Sequence, residues 1–224
     1  MLLFLFQFYY QFSFIIKNKN DYINATLFYL IILIFFPISL KYNQNIIFNT
    51  SISIIIIASF LTTIFILNRF FIEDKEEGHL LEYNLLQNKT SLPKLIIIKC
   101  FIKWLLISIS LILGTFIGII LLNIPFYYYL PIILILLITT LLLILIGSIG
   151  SALFIGHKEK SVLICLFIMP FYLPILIFTT NLLQTILIGE TINNQFYFIS
   201  LFFLFLLIFS PNICAYNLKL WSAQ

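Results

Sequence analysis

Residues 69–103 read RFFIEDKEEGHLLEYNLLQNKTSLPKLIIIKCFIK and hold five of the chain's eight acidic residues and six of its twelve basic ones. The acids are Glu73, Asp74, Glu76, Glu77 and Glu82; the bases are Arg69, Lys75, Lys89, Lys94, Lys99 and Lys103. On either side stand long apolar runs separated by short polar gaps. A charged segment set in an otherwise oily chain is where a water-soluble partner can dock. Within it Leu80, Leu81, Leu85 and Leu86 recur at helical spacing, flanked by Glu77, Glu82 and Lys89. That pattern predicts a short amphipathic helix parallel to the membrane. On pattern alone, a merely solvated charged loop is the alternative.

Of the 224 residues, 62% are hydrophobic and 9% charged, whereas a soluble domain carries about 25% charged residues. A soluble core of this size could not hide so much apolar surface. The expected fold is therefore an all-α integral membrane protein, because helices satisfy their own backbone groups where lipid offers no partners. One transmembrane domain, 1–224, is expected, with spans at 23–40, 46–67, 101–122, 128–155, 162–183 and 196–216. The fourth exceeds the ~20 residues a bilayer needs and is expected to tilt or break near Gly147 and Gly150. A kink is expected in the fifth at Pro170 and Pro174. Pro211 falls near the end of the sixth. In residues 1–17, Gln7 and Gln11 share one helix face and Lys17 and Lys19 follow, which fits an interfacial helix better than a first span. No basic residue precedes that apolar part and no small-residue cleavage site follows it, unlike a secretory signal.

Basic residues set the orientation. With the N-terminus inside, Lys41 alone of the basic residues falls outside, and both ends and the acidic segment face inward. The net charge of +4 thus reflects topology, and no nucleic-acid partner is expected. One Val, one Arg and five Ala, against heavy use of Ile, Phe, Leu, Asn, Lys and Tyr, are the mark of AT-rich coding. This favours a mitochondrial origin over a free-living bacterial one.

No catalytic, metal-binding or cofactor-binding constellation is present. The chain lacks a GxxxxGK[ST] loop, and its two histidines, His79 and His157, fall in inward-facing polar segments. Cys100, Cys165 and Cys214 form no CxxC and read as buried small hydrophobes. No charged residue occupies the middle of an expected span, which disfavours an ion-coupled machine. Lys99 and Lys103 are expected to snorkel to the interface.

Four stretches together carry a resemblance. LFYLIILIFFPISL (27–40) closes on Phe-Pro-x-Ser. LNRFFIEDKEEGHLLEYNLL (67–86) has a basic-aromatic start, an acidic cluster, a Gly and a Leu/Glu helix. SLPKLIIIKCFIKWLL (91–106) has Leu-Pro, a spaced Lys and a Trp, and LFIMPFYLPILIFTTNLL (166–183) has paired prolines. In this order, and with six spans, the chain resembles the heme exporter B family (CcmB), the permease of the cytochrome c maturation ABC transporter. Two features depart from the family pattern. Its Gly-x-Leu-Glu becomes Gly78-His79-Leu80-Leu81-Glu82, and its proline-rich run shrinks to Pro93.

The resemblance implies an ABC-2 type permease with an elbow helix at 1–17 and an inward-facing coupling segment within 69–94. Leu80, Leu81 and Leu85 would then supply the apolar anchor around Gly78, with Glu73, Glu76, Glu77 and Glu82 as rim charge. Pro170 and Pro174 become hinge candidates. It further implies a separate ABC ATPase subunit, a heme-handling membrane subunit and a small single-span subunit. Heme and ATP would be handled by those partners, with no cofactor bound directly and no catalysis by this chain. The implied location is the mitochondrial inner membrane with termini on the matrix side, or alternatively a bacterial inner membrane. Two competing functions remain: a structural or proton-conducting subunit of a respiratory complex, and an ABC-2 exporter of another substrate.

Overall fold

The computed structural model describes residues 19–39, 44–67, 70–71, 91–155, 160–188 and 194–222. Six long helices account for nearly all of them: α1 (Lys19–Ser39), α2 (Gln44–Leu67), α3 (Ser91–Leu121), α4 (Tyr129–Leu153), α5 (Lys160–Ile188) and α6 (Asn194–Ser222). All six are long and apolar enough to cross a membrane. No strand occurs among the described residues. The protein is a multi-pass membrane protein. The expected interfacial helix at 1–17 and most of the coupling segment lie outside the described residues.

Helix α4 is central, packing against α2, α3, α5 and α6, while α1 closes the ring between α2 and α3. Helices α2 and α4 are accordingly the most buried, and α1 and α5 turn most of their apolar side chains outward, as a lipid-facing surface requires. The starts of α1, α3 and α5 and the ends of α2, α4 and α6 gather at one end of the bundle. Tyr172 of α5 donates to the Leu143 carbonyl of α4 at 2.8 Å, and Ser210 of α6 donates to the Leu145 carbonyl at 2.8 Å.

Lipid gives helices no hydrophobic reason to associate, so close packing at small residues and interhelical hydrogen bonds must hold them. Both are present. A Cβ on Gly114 would lie 2.2 Å from the Tyr29 ring, and one on Gly118 would lie 2.9 Å from Leu33, so α3 meets α1 on a pair of glycines one turn apart. Thr26 donates to Ser110 at 2.7 Å along the same seam. Tyr29 and Thr115 share a hydrogen bond of 3.3 Å there, and the Thr115 hydroxyl also reaches the Leu111 carbonyl. Most other buried hydroxyls bond within their own helix, as Thr62 does to Ala58 at 2.8 Å and Thr63 to Ser59 at 2.6 Å.

The helices depart from the expected limits in instructive places. Helix α3 begins at Ser91 instead of 101. Pro93 falls in its first turn, where backbone N–H groups have no helical partner and a missing one costs nothing. Helix α4 does not break at Gly147 and Gly150 but runs to Leu153. Those glycines are contact points: a Cβ would lie 2.1 Å from Leu67 at Gly147 and 3.1 Å from Ile168 at Gly150. Helix α5 continues through Pro170 and Pro174 to Ile188, and α6 continues through Pro211 to Ser222.

Between α3 and α4 the chain turns on Asn123, whose φ of 52° is left-handed. The Ile124 N–H bonds the Ile119 carbonyl at 3.0 Å and the Asn123 N–H bonds the Ile120 carbonyl at 3.4 Å. This closes the helix in the way glycine usually does, with asparagine tolerating the same conformation.

Candidate functional site

The end of the bundle where α2 stops and α3 starts is where the charged segment joins the membrane domain. Beyond Leu67 the chain turns back, with the Phe70 N–H on the Leu67 carbonyl at 3.1 Å. Phe70 and Phe71 are both buried, and their rings meet edge to face with centroids 4.8 Å apart. This aromatic pair fixes where the segment leaves the bundle.

Two lysines of α3 turn toward it. Lys99 and Lys103, one helical turn apart, are only 4% and 3% exposed, while Lys94 is exposed. The Lys99 Nζ lies 5.0 Å from the Phe71 ring centroid and 5.5 Å from that of Phe70. The Lys103 Nζ lies 5.6 Å from the ring of Tyr22 in α1. Each contact is within cation–π range. The expectation that these lysines snorkel outward is therefore corrected. Because α3 begins at Ser91, ten residues before the expected span, both lysines lie within the helix and their side chains turn into protein. At 1.5 Å per residue they sit roughly 33 and 27 Å along the axis from Leu121, near the edge of a hydrocarbon core of ~30 Å. An i, i+4 lysine pair inside an apolar run was the available signal for a buried cationic site.

A small polar cluster joins α3, α4 and α6. Ser148 and Ser210 hydroxyls are 3.0 Å apart, and the Cys214 Sγ lies 3.5 Å from the Ser148 Oγ. Cys100 of α3 is buried and faces the same Ser148. On α3, Trp104 donates its indole N–H to the Leu137 carbonyl of α4 at 2.9 Å. These bonds pin α3 and α6 to the central helix. Among the described residues no group of three or more His, Cys, Asp or Glu could hold a metal ion.

Of the residues expected to meet a partner, Glu73, Glu76, Glu77, Gly78, Leu80, Leu81, Glu82 and Leu85 lie outside the described residues, as do His79 and His157. The hinge candidates are both in α5, with Pro170 exposed and Pro174 half-buried. Lacking an N–H, they leave the Leu166 and Pro170 carbonyls without the usual i→i−4 bond, so α5 is short of two rungs at mid-length.

A family model described as CcmB protein matches residues 4–220. The chain is 25% identical over 204 residues to heme exporter protein B of Pseudomonas aeruginosa, covering 91% of each chain. It is 25% identical over 168 residues to the protein of that name in Haemophilus influenzae, covering 75% of each. For the Escherichia coli strain K12 protein of that name the figures are 31% over 164 residues, or 73% of this chain and 74% of that one. With a match running nearly end to end across all six membrane helices, the chain belongs to the CcmB protein family.

Proposed function

We propose that this chain is the membrane permease subunit of an ABC transporter acting in cytochrome c maturation. It would couple ATP hydrolysis by a separate subunit to heme delivery and release of the heme-loaded chaperone. The observation that carries this reading is the family match over residues 4–220, together with relatives bearing the name heme exporter protein B. In this account Glu73–Leu86 is the coupling segment between α2 and α3. Leu80, Leu81 and Leu85 seat in the ATPase, and Glu73, Glu76, Glu77 and Glu82 ring that contact beside Gly78. A coupling helix there would act on the end of the bundle that holds Phe70, Phe71, Lys99 and Lys103. Heme and ATP are handled by partners, a heme-handling membrane subunit and a small single-span subunit among them. The AT-rich composition favours the mitochondrial inner membrane, with the lysine-bearing end on the matrix side.

Mild-detergent purification of the tagged chain from its native membrane tests the reading. The expected result is a complex containing a P-loop ATPase and a heme-binding membrane subunit. An intact respiratory complex without a nucleotide-binding companion would overturn it.

The two missing rungs in α5 make that helix the easiest to bend, and we place the hinge of the ATP-driven rearrangement there. Restoring both N–H groups with Pro170→Ala/Pro174→Ala is expected to slow release of the heme-loaded chaperone several-fold, as changes at a hinge slow a gated step, while complex assembly persists. Unaltered release in a reconstituted assay removes the hinge.

A further inference from the structure

The turn between α3 and α4 lies at the end of the bundle away from Lys99 and Lys103, and its sequence is unlike that of its neighbours. From Trp104 to Gly156 there is no Asp, Glu, Lys, Arg or His. By contrast, the sequence joining α1 to α2 includes Lys41, and that joining α5 to α6 includes Glu190. The α3–α4 link reads LNIPFYYYLP over 122–131. Its largest side chains turn outward: Phe126, Tyr127 and Leu130 are 62%, 69% and 68% exposed.

These side chains stand on a braced turn. Leu122 and Ile124 are buried and hold it to the bundle. Phe126 stacks on Tyr129 with ring centroids 5.5 Å apart, and Phe116 of α3 meets both rings edge to face at 6.1 and 5.9 Å. The Tyr129 hydroxyl donates to the Ile112 carbonyl at 3.2 Å. The backbone is sparing of water as well. The N–H groups of Leu122, Asn123 and Ile124 lie on the Gly118, Ile120 and Ile119 carbonyls, and those of Tyr128 and Tyr129 on the Pro125 and Phe126 carbonyls. Pro125 has no N–H to place. Within 122–129 this leaves the N–H groups of Phe126 and Tyr127 for water. A turn that meets its own hydrogen-bonding needs is what apolar surroundings demand, whereas water would satisfy an open turn equally well.

We propose that the α3–α4 turn is sunk into the bilayer surface, with Phe126, Tyr127 and Leu130 at the boundary between headgroups and acyl chains. Three large apolar or aromatic side chains, each more than half exposed, form a patch that needs cover. Rings with an apolar body and a polar tip suit that boundary, and the absence of charge spares the turn the cost of approaching it. A water-soluble partner is the less suited occupant, because the turn has no charged rim to steer or orient one. Seated in this way, the turn fixes the depth of α4, the helix on which α2, α3, α5 and α6 pack. The proposal is independent of any coupling role for the charged segment.

The test is the depth of a spin label on the full chain in lipid nanodiscs. With Cys100, Cys165 and Cys214 replaced by Ser, a nitroxide is attached at Tyr127→Cys. Its collisions with oxygen, which concentrates in lipid, are compared with its collisions with a water-soluble nickel chelate. Lys94→Cys and Leu113→Cys supply the references. The first replaces an exposed basic residue near the start of α3, and the second a leucine in its middle that is 58% exposed. The oxygen-to-nickel ratio at Tyr127→Cys is expected to be several-fold above that at Lys94→Cys and to approach that at Leu113→Cys. A ratio equal to that at Lys94→Cys puts the turn in water and overturns the proposal. Weak collisions with both reagents overturn it too, because a second copy or another protein then covers the turn. Tyr127 is largely exposed, so its replacement removes little packing. Should that variant still fail to accumulate, Leu130→Cys, equally exposed in the parent chain, gives the same readout.

Discussion

Gly114→Leu is expected to pry α1 off the bundle. The glycine is buried on α3, and even a single Cβ there would lie 2.2 and 2.6 Å from the Cδ1 and Cε1 atoms of Tyr29. That ring is fully buried and its hydroxyl bonds Thr115, so moving it aside displaces packed neighbours and breaks that bond. Ordinary overpacking costs ~1–3 kcal/mol, and a rigid aromatic ring puts this site at the upper end or beyond. Helix α1 is poorly equipped to absorb such a loss. Most of its apolar residues face outward, and its inward face rests on Ala25, Tyr29 and Leu33. The measurement is a disulfide between Thr26→Cys and Ser110→Cys, placed where the native hydroxyls are 2.7 Å apart. It should form readily in the parent background and fall sharply with Gly114→Leu. Tyr29→Ala should restore part of the yield, because the leucine then occupies the space left by the ring. A coupling of roughly 0.5–3 kcal/mol between the two changes is the expected signature of contacting residues. Undiminished cross-linking in Gly114→Leu would show that the seam does not depend on the glycine.

The number and order of the described helices were legible because only long apolar runs can satisfy the membrane, and the described residues hold six of them. What the runs conceal is which way each residue faces. Lipid and protein core are equally apolar, so hydropathy does not separate the lipid-facing Leu166 from the buried Ile168 two residues on. Gly147 and Gly150 invite a break on local propensity, yet each admits a neighbouring helix, a role that depends on Leu67 and Ile168 far away in sequence. The start of α3 was hidden by its charge. Lys94 and Lys99 precede the span expected from 101 and Lys103 falls just inside it, whereas the helix encloses all three and turns two of them inward. Fit to a partner is harder still to read. Nothing in the spacing of Leu80, Leu81 and Leu85 distinguishes a coupling helix from a solvated one, and the resemblance of 67–86 to a known loop is what selects the first.

That selection is open to a direct test with a large expected effect. Leu81→Asp/Leu85→Asp should abolish recovery of the ATPase with this chain while leaving its membrane level unchanged. The two residues are four apart, so on a helix they share a face and would enter the same groove. An apolar anchor in a desolvated pocket is where interface energy concentrates. Burying even one uncompensated carboxylate there costs enough that a loss of at least ~100-fold in affinity, about 2.7 kcal/mol, is a conservative expectation. The control is Glu76→Gln/Glu77→Gln. Rim charges chiefly steer the encounter, so their removal should slow association and flatten its salt dependence with much smaller loss of retained ATPase. The order of these two effects distinguishes an apolar seat from a charge-held surface. If the glutamine pair releases the ATPase and the aspartate pair does not, Leu81 and Leu85 do not face the partner. The one-residue displacement of Glu82 from the family's Gly-x-Leu-Glu pattern would then have carried a different set of side chains into the groove.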